Sequence, residues 1–193
     1  MGLAVLSVLL SQTQQLHSSV EIGSISEVRG NAQVLRDKAY GAELQFNIQQ
    51  MDDVRTEAGR VAITFEDDST VKLTEHSKLV IDEYIYDPDP SKSKMALKFA
   101  SGTARFITGK FNNKSNIAIR TPTANIAIRG TDFTCTVDEL GRSLVILLPD
   151  ENGISSGEII VATAMGSVTL NKPYQATTVS VFENNPTKPV TLD

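Results

Sequence analysis

Short runs in which apolar and polar residues alternate recur about every 8 to 12 residues, a spacing typical of all-β domains. No long stretch with the 3.6-residue period of a helix occurs after residue 20. About a quarter of the 193 residues are Val, Ile or Thr, whose branched side chains fit a pleated sheet better than a helix. We therefore expect an all-β fold, either an antiparallel β-sandwich or roll or a short β-solenoid.

The clearest local element is the stretch RVAITFEDDSTVKL at 60–73. Apolar residues at positions 61, 63 and 65, and again at 71 and 73, flank Asp67-Asp68-Ser69, which predicts a β-hairpin with its turn at these three residues. The alternative is a Ca²⁺ site at Glu66, Asp67 and Asp68. These carboxylates lack the spaced oxygen ligands of an EF-hand loop, so we favour the turn.

Three further features concern strands. The sequence IAIR occurs at 117–120 and again at 126–129, which predicts two adjacent strands joined at Pro122. The continuous apolar run LVILL at 144–148 predicts a strand that is buried on both faces. Gly102 interrupts an alternating run, which resumes at Ala104, Phe106 and Thr108.

The chain divides by composition into an N-terminal arm or short helix (1–19), a β domain (20–182) and an extended C-terminal tail (183–193). The apolar run at 3–10 is too short to span a bilayer. It is either a docked segment or the centre of a secretory signal, although no Lys or Arg precedes it. Both ends are suited to contacting a partner protein, and the residues assigned to that interface are Leu3, Val5, Leu6, Val8, Leu9, Pro186 and Pro189.

Charge and cysteine content exclude several function classes. Eighteen Lys and Arg against 23 Asp and Glu give a net charge of −5, whereas nucleic-acid binding requires a basic surface. The single cysteine, Cys135, rules out an internal disulfide and a thiolate-based structural zinc site. With only two histidines and no phosphate-binding or nucleophile motif, we expect no cofactor, no metal and no enzymatic activity.

Two groups of titratable residues could still carry catalysis. His76 lies between Glu75 and Ser77, and Asp52 is followed by Asp53. Neighbouring residues of a strand point to opposite faces, so neither group is expected to converge on a substrate.

The remaining candidates are three arginines and the cysteine. Arg105, Arg120 and Arg129 close apolar strands, where an arginine either fixes a corner by binding a carboxylate or carbonyl, or binds an anionic partner. Cys135 alternates with apolar neighbours and is expected to be a small buried core residue.

The stretch from Gly23 to Val137 resembles the FecR domain. The matching sequences are GSISEVRGNAQVLR at 23–36, DDVRTEAGRVAITFEDDSTVKL at 52–73, SGTARF at 101–106 and IRTPTANIAIRGTDF at 119–133. The most specific part is T-P-x-A-x-x-x-x-R-G-T at 121–131, called the 121–131 motif below. Its residues Thr121, Pro122, Ala124, Arg129, Gly130 and Thr131 are assigned a structural role. Asp68 stands where the family usually has Gly, which alters the turn but not the fold.

This resemblance implies an all-β, non-enzymatic module. The best-known members transduce the signal for ferric-siderophore uptake with a cytoplasmic anti-sigma segment, one transmembrane helix and this domain in the periplasm. The family also occurs in stand-alone proteins, including structural proteins of bacteriophages, and the sequences at 129–149 and 166–171 look similar to such proteins. This chain has no membrane helix or upstream cytoplasmic segment, so we do not expect it to signal across a membrane alone.

Three functions remain open at this point. The first is a non-enzymatic structural protein, a homo-oligomer or part of a multi-subunit assembly, with a phage tail, baseplate or neck in the virion as the candidate assembly. The second is an exported, periplasmic sensor or adaptor that binds its partner by adding a strand at a sheet edge. The third is a carbohydrate-binding domain, which is weakened by the absence of Trp although Tyr40, Tyr84 and Tyr86 remain.

Overall fold

A computed structural model describes residues 21–89, 91–110 and 116–192, and their regular secondary structure consists of β-strands. The strands are β1 (Glu21–Arg29), β2 (Ala32–Leu35), β3 (Ala39–Gly41), β4 (Asn47–Gln49), β5 (Asp53–Thr56), β6 (Arg60–Phe65), β7 (Thr70–Leu73), β8 (Lys78–Ile85), β9 (Lys94–Ile107), β10 (Asn116–Arg120), β11 (Asn125–Arg129), β12 (Asp132–Val137), β13 (Ser143–Leu147), β14 (Glu158–Ala162), β15 (Ser167–Leu170), β16 (Gln175–Val179) and β17 (Val190–Thr191). The all-β prediction is confirmed.

The strands form one mixed, mostly antiparallel sheet that folds over on itself into two layers. The first layer has the order β4-β1-β6-β7-β9-β12-β13-β16-β17. The second has the order β3-β2-β5-β8-β9-β10-β11-β14-β15. Phe65 of the first layer stacks on Tyr84 of the second with ring centroids 5.3 Å apart. This arrangement corresponds to the sandwich or roll rather than to the solenoid.

Strand β9 belongs to both layers, and Gly102 is the point where it changes from one to the other. Residues 94–101 pair with β8 and, in parallel, with β10, while residues 102–107 pair with β7 and β12. The buried side chains are Met95, Leu97 and Phe99 before Gly102 but Ala104 and Phe106 after it. This change of parity keeps both halves of β9 directed at one core.

The backbone at Gly102 explains the interruption that the sequence shows. Its φ is +92°, a conformation that glycine adopts readily and other residues rarely do. A Cβ atom on Gly102 would also lie 2.6 Å from Cα of Ser77, so the turn before β8 packs directly on the bend. The bend therefore requires glycine both for its dihedral angle and for this close approach.

Both local strand predictions with a defined partner are confirmed. Strands β6 and β7 form the hairpin at 60–73, with Asp68 at a φ of +65° in its turn. Strands β10 and β11 pair so that Ile117 lies opposite Ile128 and Ile119 opposite Ile126.

Two expectations for single segments need correction. In β13, Val145 and Leu147 are buried, but Leu144 and Ile146 on the other face are only half-buried, so the strand is not buried on both faces. The reason is that β13 belongs to the first layer, which turns one face towards the core and the other towards solvent. The charged stretch at 36–43 is expected from its sequence to be a connection, but it contains a short strand, β3, which pairs with β2.

The described part of the C-terminal tail folds back on its own domain. The Thr187 amide donates to the Thr178 carbonyl at 3.0 Å, and β17 pairs with β16. Pro186 is buried within this chain and Pro189 is half-buried. The assignment of these two prolines to a partner interface, and the division into three segments, stay predictions.

We predict that Gly102→Ala destabilises the domain, because the new methyl group would overlap Ser77 and the backbone would be strained at positive φ. The expected loss in free energy of unfolding is about 2–4 kcal/mol, measured by urea denaturation. Gly41→Ala is the matched control, since a Cβ there meets nothing within 4 Å. Equal unfolding midpoints for the two variants would contradict the role given to Gly102.

Candidate protein-interaction surfaces

The first half of the 121–131 motif forms a tight turn that is bonded to a neighbouring loop. The Thr121 amide donates to the Ala124 carbonyl, and the Ala124 amide donates to Thr121 Oγ1, both at 2.9 Å. The hydroxyls of Thr121 and Thr123 lie 2.7 and 2.8 Å from Ser143 Oγ. Thr123 Oγ1 also donates to the Gly141 carbonyl at 3.0 Å. The turn therefore holds the loop between β12 and β13.

The second half of the motif lies at the far end of β11. Arg129 pairs with Glu158 on the adjacent strand at 3.1 Å, and Gly130 has a φ of +57°. The Thr131 amide donates to Thr108 Oγ1 at 2.6 Å, which joins β11 to the end of β9. Thr131 Oγ1 is buried and has no hydrogen-bond partner among the described residues. The motif residues thus contact other parts of this chain.

Asp67 and Asp68 in the hairpin turn point in different directions. Asp67 is fully buried, accepts a hydrogen bond from the Tyr84 hydroxyl at 3.0 Å and accepts another from Ser69 Oγ. Burial, together with the Asp67 charge, raises the pKa of Tyr84, so this phenol stays protonated. Asp68 instead forms an ion pair with Lys110 at 2.8 Å on the surface. The two carboxylates therefore do not converge on a common ligand position.

Asp52 and Asp53 also diverge, and the buried Asp52 forms an ion pair with the partly exposed Arg36 that the sequence analysis missed. Asp52 is fully buried and receives two hydrogen bonds of 2.7 Å from the Arg36 guanidinium and one of 2.8 Å from the Gln49 amide. The hydrogen bond to Asp52 raises the pKa of Arg36. Asp53 pairs with Arg55 at 2.7 Å on the surface.

The other titratable candidates are also separated. Ser77 is buried against Gly102, while Glu75 faces Arg60 at 3.7 Å, so neither meets His76 in a common cleft. Cys135 is fully buried as expected, and burial raises the pKa of its thiol to about 12. No group of three or more His, Cys, Asp or Glu placed to hold a metal ion occurs in the described ranges.

Two of the three arginines bind carboxylates of this chain, and binding of an anionic partner by an arginine stays a prediction. Arg105 donates to Asp132 at 2.8 Å from Nε, and this bond raises the pKa of Arg105. Arg129 pairs with Glu158, so both side chains link neighbouring strands by binding carboxylates. Arg120 is exposed and makes no ion pair with a described residue.

The tyrosines named for carbohydrate binding do not share a surface platform. Tyr84 is buried and hydrogen-bonded to Asp67, and Tyr40 packs on Phe46 with ring centroids 5.6 Å apart. Tyr86 follows the end of β8 and borders the same surface depression as Tyr84, away from Tyr40.

The sheet has four edge strands within the described part of the chain, and β15 is the longest of them. The Thr163 amide donates to the Gly166 carbonyl at the hairpin that joins β14 to β15. Because hydrogen-bonded pairs alternate in an antiparallel ladder, Ser167 and Thr169 direct their backbone N–H and C=O groups away from β14. No backbone hydrogen bond from a described residue reaches this outer side. The edge is therefore available to an added strand.

The N-terminal residues assigned to a partner interface, at positions 3, 5, 6, 8 and 9, lie outside the described residues. Within the described ranges, no helix is long and apolar enough to cross a bilayer.

Comparison with known proteins identifies a family. A family model described as "FecR protein" matches residues 52–169, which include the hairpin at 60–73, all of β9 and the 121–131 motif. No curated protein matches the chain.

Two crystal structures of a "putative anti-sigma factor" from Parabacteroides distasonis ATCC 8503 are similar in fold. Each has a TM-score of 0.56 and 14% sequence identity, and the alignment covers 73% of this chain. The chain accounts for 60% of the length of those proteins, and the likeness concerns the fold.

We predict that Arg36→Met destabilises the domain by about 3–5 kcal/mol, because it leaves the Asp52 carboxylate buried without its counter-ion. Adding Asp52→Asn should restore more than half of this loss, because the neutral amide oxygen still accepts the Gln49 amide. Arg55→Met is the control, since its exposed pair with Asp53 contributes about 0–1 kcal/mol. Thermal and urea unfolding measure all three, and equal losses for Arg36→Met and Arg55→Met would contradict the prediction.

Proposed function

Because the chain belongs to the FecR family, we propose that it is a protein-binding module of a FecR-type signalling system, acting as a sensor or adaptor. The family match carries this proposal, and the family is generally non-enzymatic. The structural likeness to an anti-sigma factor agrees with a signalling role. None of the matches reported above is a phage protein, and nothing in them favours a virion component.

The distribution of polar side chains supports binding rather than catalysis. Asp52 and Asp67, the two fully buried carboxylates among the described residues, are both bonded to residues of this chain. A general acid or base needs a free position beside a substrate, and these bonds hold the two side chains in the body of the sheet.

The proposed contact is the outer edge of β15. Its backbone groups at Ser167 and Thr169 have the geometry to pair with an extended segment of a partner, and their side chains are exposed. As in the family's transducers, the proposed location is the periplasm, and the process is iron-dependent gene regulation.

The test is genetic complementation in the native host. Deleting the gene should change the transcription of a small set of operons under iron limitation, measured by RNA sequencing, and the wild-type gene should restore it. Thr169→Pro removes the outward N–H group without removing a bond to β14, so this variant should fail to restore transcription. Thr169→Val keeps the N–H group and should restore it.

Two results would overturn this account. If deletion of the gene leaves the transcriptome unchanged but abolishes assembled particles, the protein has a structural role and not a signalling role. Full complementation by a folded Thr169→Pro variant would show that partners do not use the β15 edge. Thermal unfolding of both purified variants shows whether they are folded.

A further inference from the structure

We infer that a second binding site lies at one end of the sandwich, remote in sequence from β15. The site is a groove of about 620 Å³ between the 138–142 loop and the turn at His76, and it is called the Leu140 groove. We assign to it a short segment of another protein in which an apolar residue adjoins a Lys or Arg. This inference does not depend on the signalling role proposed above.

One wall of the groove is the 138–142 loop, which is fixed by its own hydrogen bonds. Asp138 Oδ1 accepts the amides of Leu140 at 3.0 Å and Arg142 at 2.9 Å, and Asp138 Oδ2 accepts Arg142 Nε at 2.6 Å. Gly141 has a φ of +80°, and Thr123 of the 121–131 motif donates to its carbonyl at 3.0 Å. The motif thus positions this loop.

The opposite wall is equally constrained. His76 has a φ of +56°, and the carbonyl of His76 accepts Ser101 Oγ at 3.4 Å. The Ser77 amide donates to Thr56 Oγ1 at 2.8 Å, and Ser77 packs on Gly102 at the bend of β9. Binding between two ordered walls requires little further loss of conformational entropy, which favours affinity for a small ligand.

Leu140 gives the groove its apolar contact. Its side chain is 76% exposed, the largest value among the large hydrophobic residues of the described ranges. Covering an exposed leucine with a partner is favourable, because apolar area is removed from water. On a loop that is already fixed, this gain is not reduced by an entropic cost of ordering the loop.

The negative charge of the 138–142 loop favours a cationic residue next to the apolar residue of the bound segment. Hydrogen bonding from Arg142 lowers the pKa of Asp138, so Asp138 is a carboxylate that Arg142 already neutralises. Glu139 is exposed and has no ion pair with a described residue, which leaves a net negative charge beside Leu140. A Lys or Arg in the bound segment complements it.

A phage-displayed library of random 12-residue peptides tests this site. Peptides that bind the Leu140→Ser variant are removed first, and the remainder are selected on the immobilised wild-type domain. The expected consensus joins an aliphatic or aromatic residue to Lys or Arg. Fluorescence polarisation with the enriched peptide should show about tenfold weaker binding to Leu140→Ser, as is usual for a central apolar anchor. Glu139→Lys should weaken binding severalfold, with the largest effect at low salt.

Matched variants separate the groove from general surface effects. Ile154 is 62% exposed in the 150–154 loop, where Asp150 Oδ1 accepts the Ile154 amide at 3.0 Å, so Ile154→Ser alters a similar loop outside the groove. It should bind the peptide like the wild type. Thr123→Val should weaken binding by loosening the loop, whereas Thr123→Ser, which keeps the hydroxyl, should not.

Several outcomes would overturn the inference. These are enrichment that is equal on the wild type and on Leu140→Ser, a consensus rich in Asp and Glu, and equal losses for Leu140→Ser and Ile154→Ser. A concentration-dependent dimer in light scattering that Leu140→Ser abolishes would also overturn it, because the occupant would then be a second copy of this chain.

Discussion

The passage of β9 from one layer of the sandwich to the other is the constraint on which the rest of the structure depends. Its first half pairs with β8 and β10, and its second half pairs with β7 and β12. At Gly102 the parity of buried residues changes, so both halves face a single core that includes Phe99 and Phe106, with ring centroids 5.9 Å apart. Without this crossing, no strand would belong to both layers, and the layers would be joined only by connecting loops, side-chain packing and a few hydrogen bonds.

The polar groups of the domain largely reinforce this architecture. The Arg36–Asp52 pair fastens the second layer near β5, and the Asp67–Tyr84 bond joins a turn of one layer to a strand of the other. The 121–131 motif bonds β10 and β11 to the loop before β13. A domain with these internal bonds presents its sheet edges and loops on a rigid scaffold. Many β proteins bind their partners through loops that a rigid scaffold positions in this way. The β15 edge and the Leu140 groove are surfaces of this kind.

The sequence alone predicts elements whose signal is local. The hairpin at 60–73 has alternation on both sides of a turn-forming Asp-Asp-Ser, and the repeated IAIR sequences pair with each other as expected. The crossing at Gly102 could not be foreseen, because a glycine within alternating residues shows a break without showing that the strand changes layers. Arg36 and Asp52 lie 16 residues apart on a connection and a turn, with no periodicity to link them. Leu140 was not identified either, since one leucine in a polar loop gives no signal until its exposure is known.

Native-state hydrogen exchange along β9 tests most directly whether this strand joins the layers into one cooperative unit. The amides of Leu97 and Phe106 lie on either side of Gly102, and each half of β9 is paired on both edges. The account predicts that both amides exchange only through global unfolding, with equal free energies of opening that match the value from urea denaturation. Opening of one half at a free energy lower by about 2 kcal/mol or more, while the other half stays protected, would show two separate units and contradict the account.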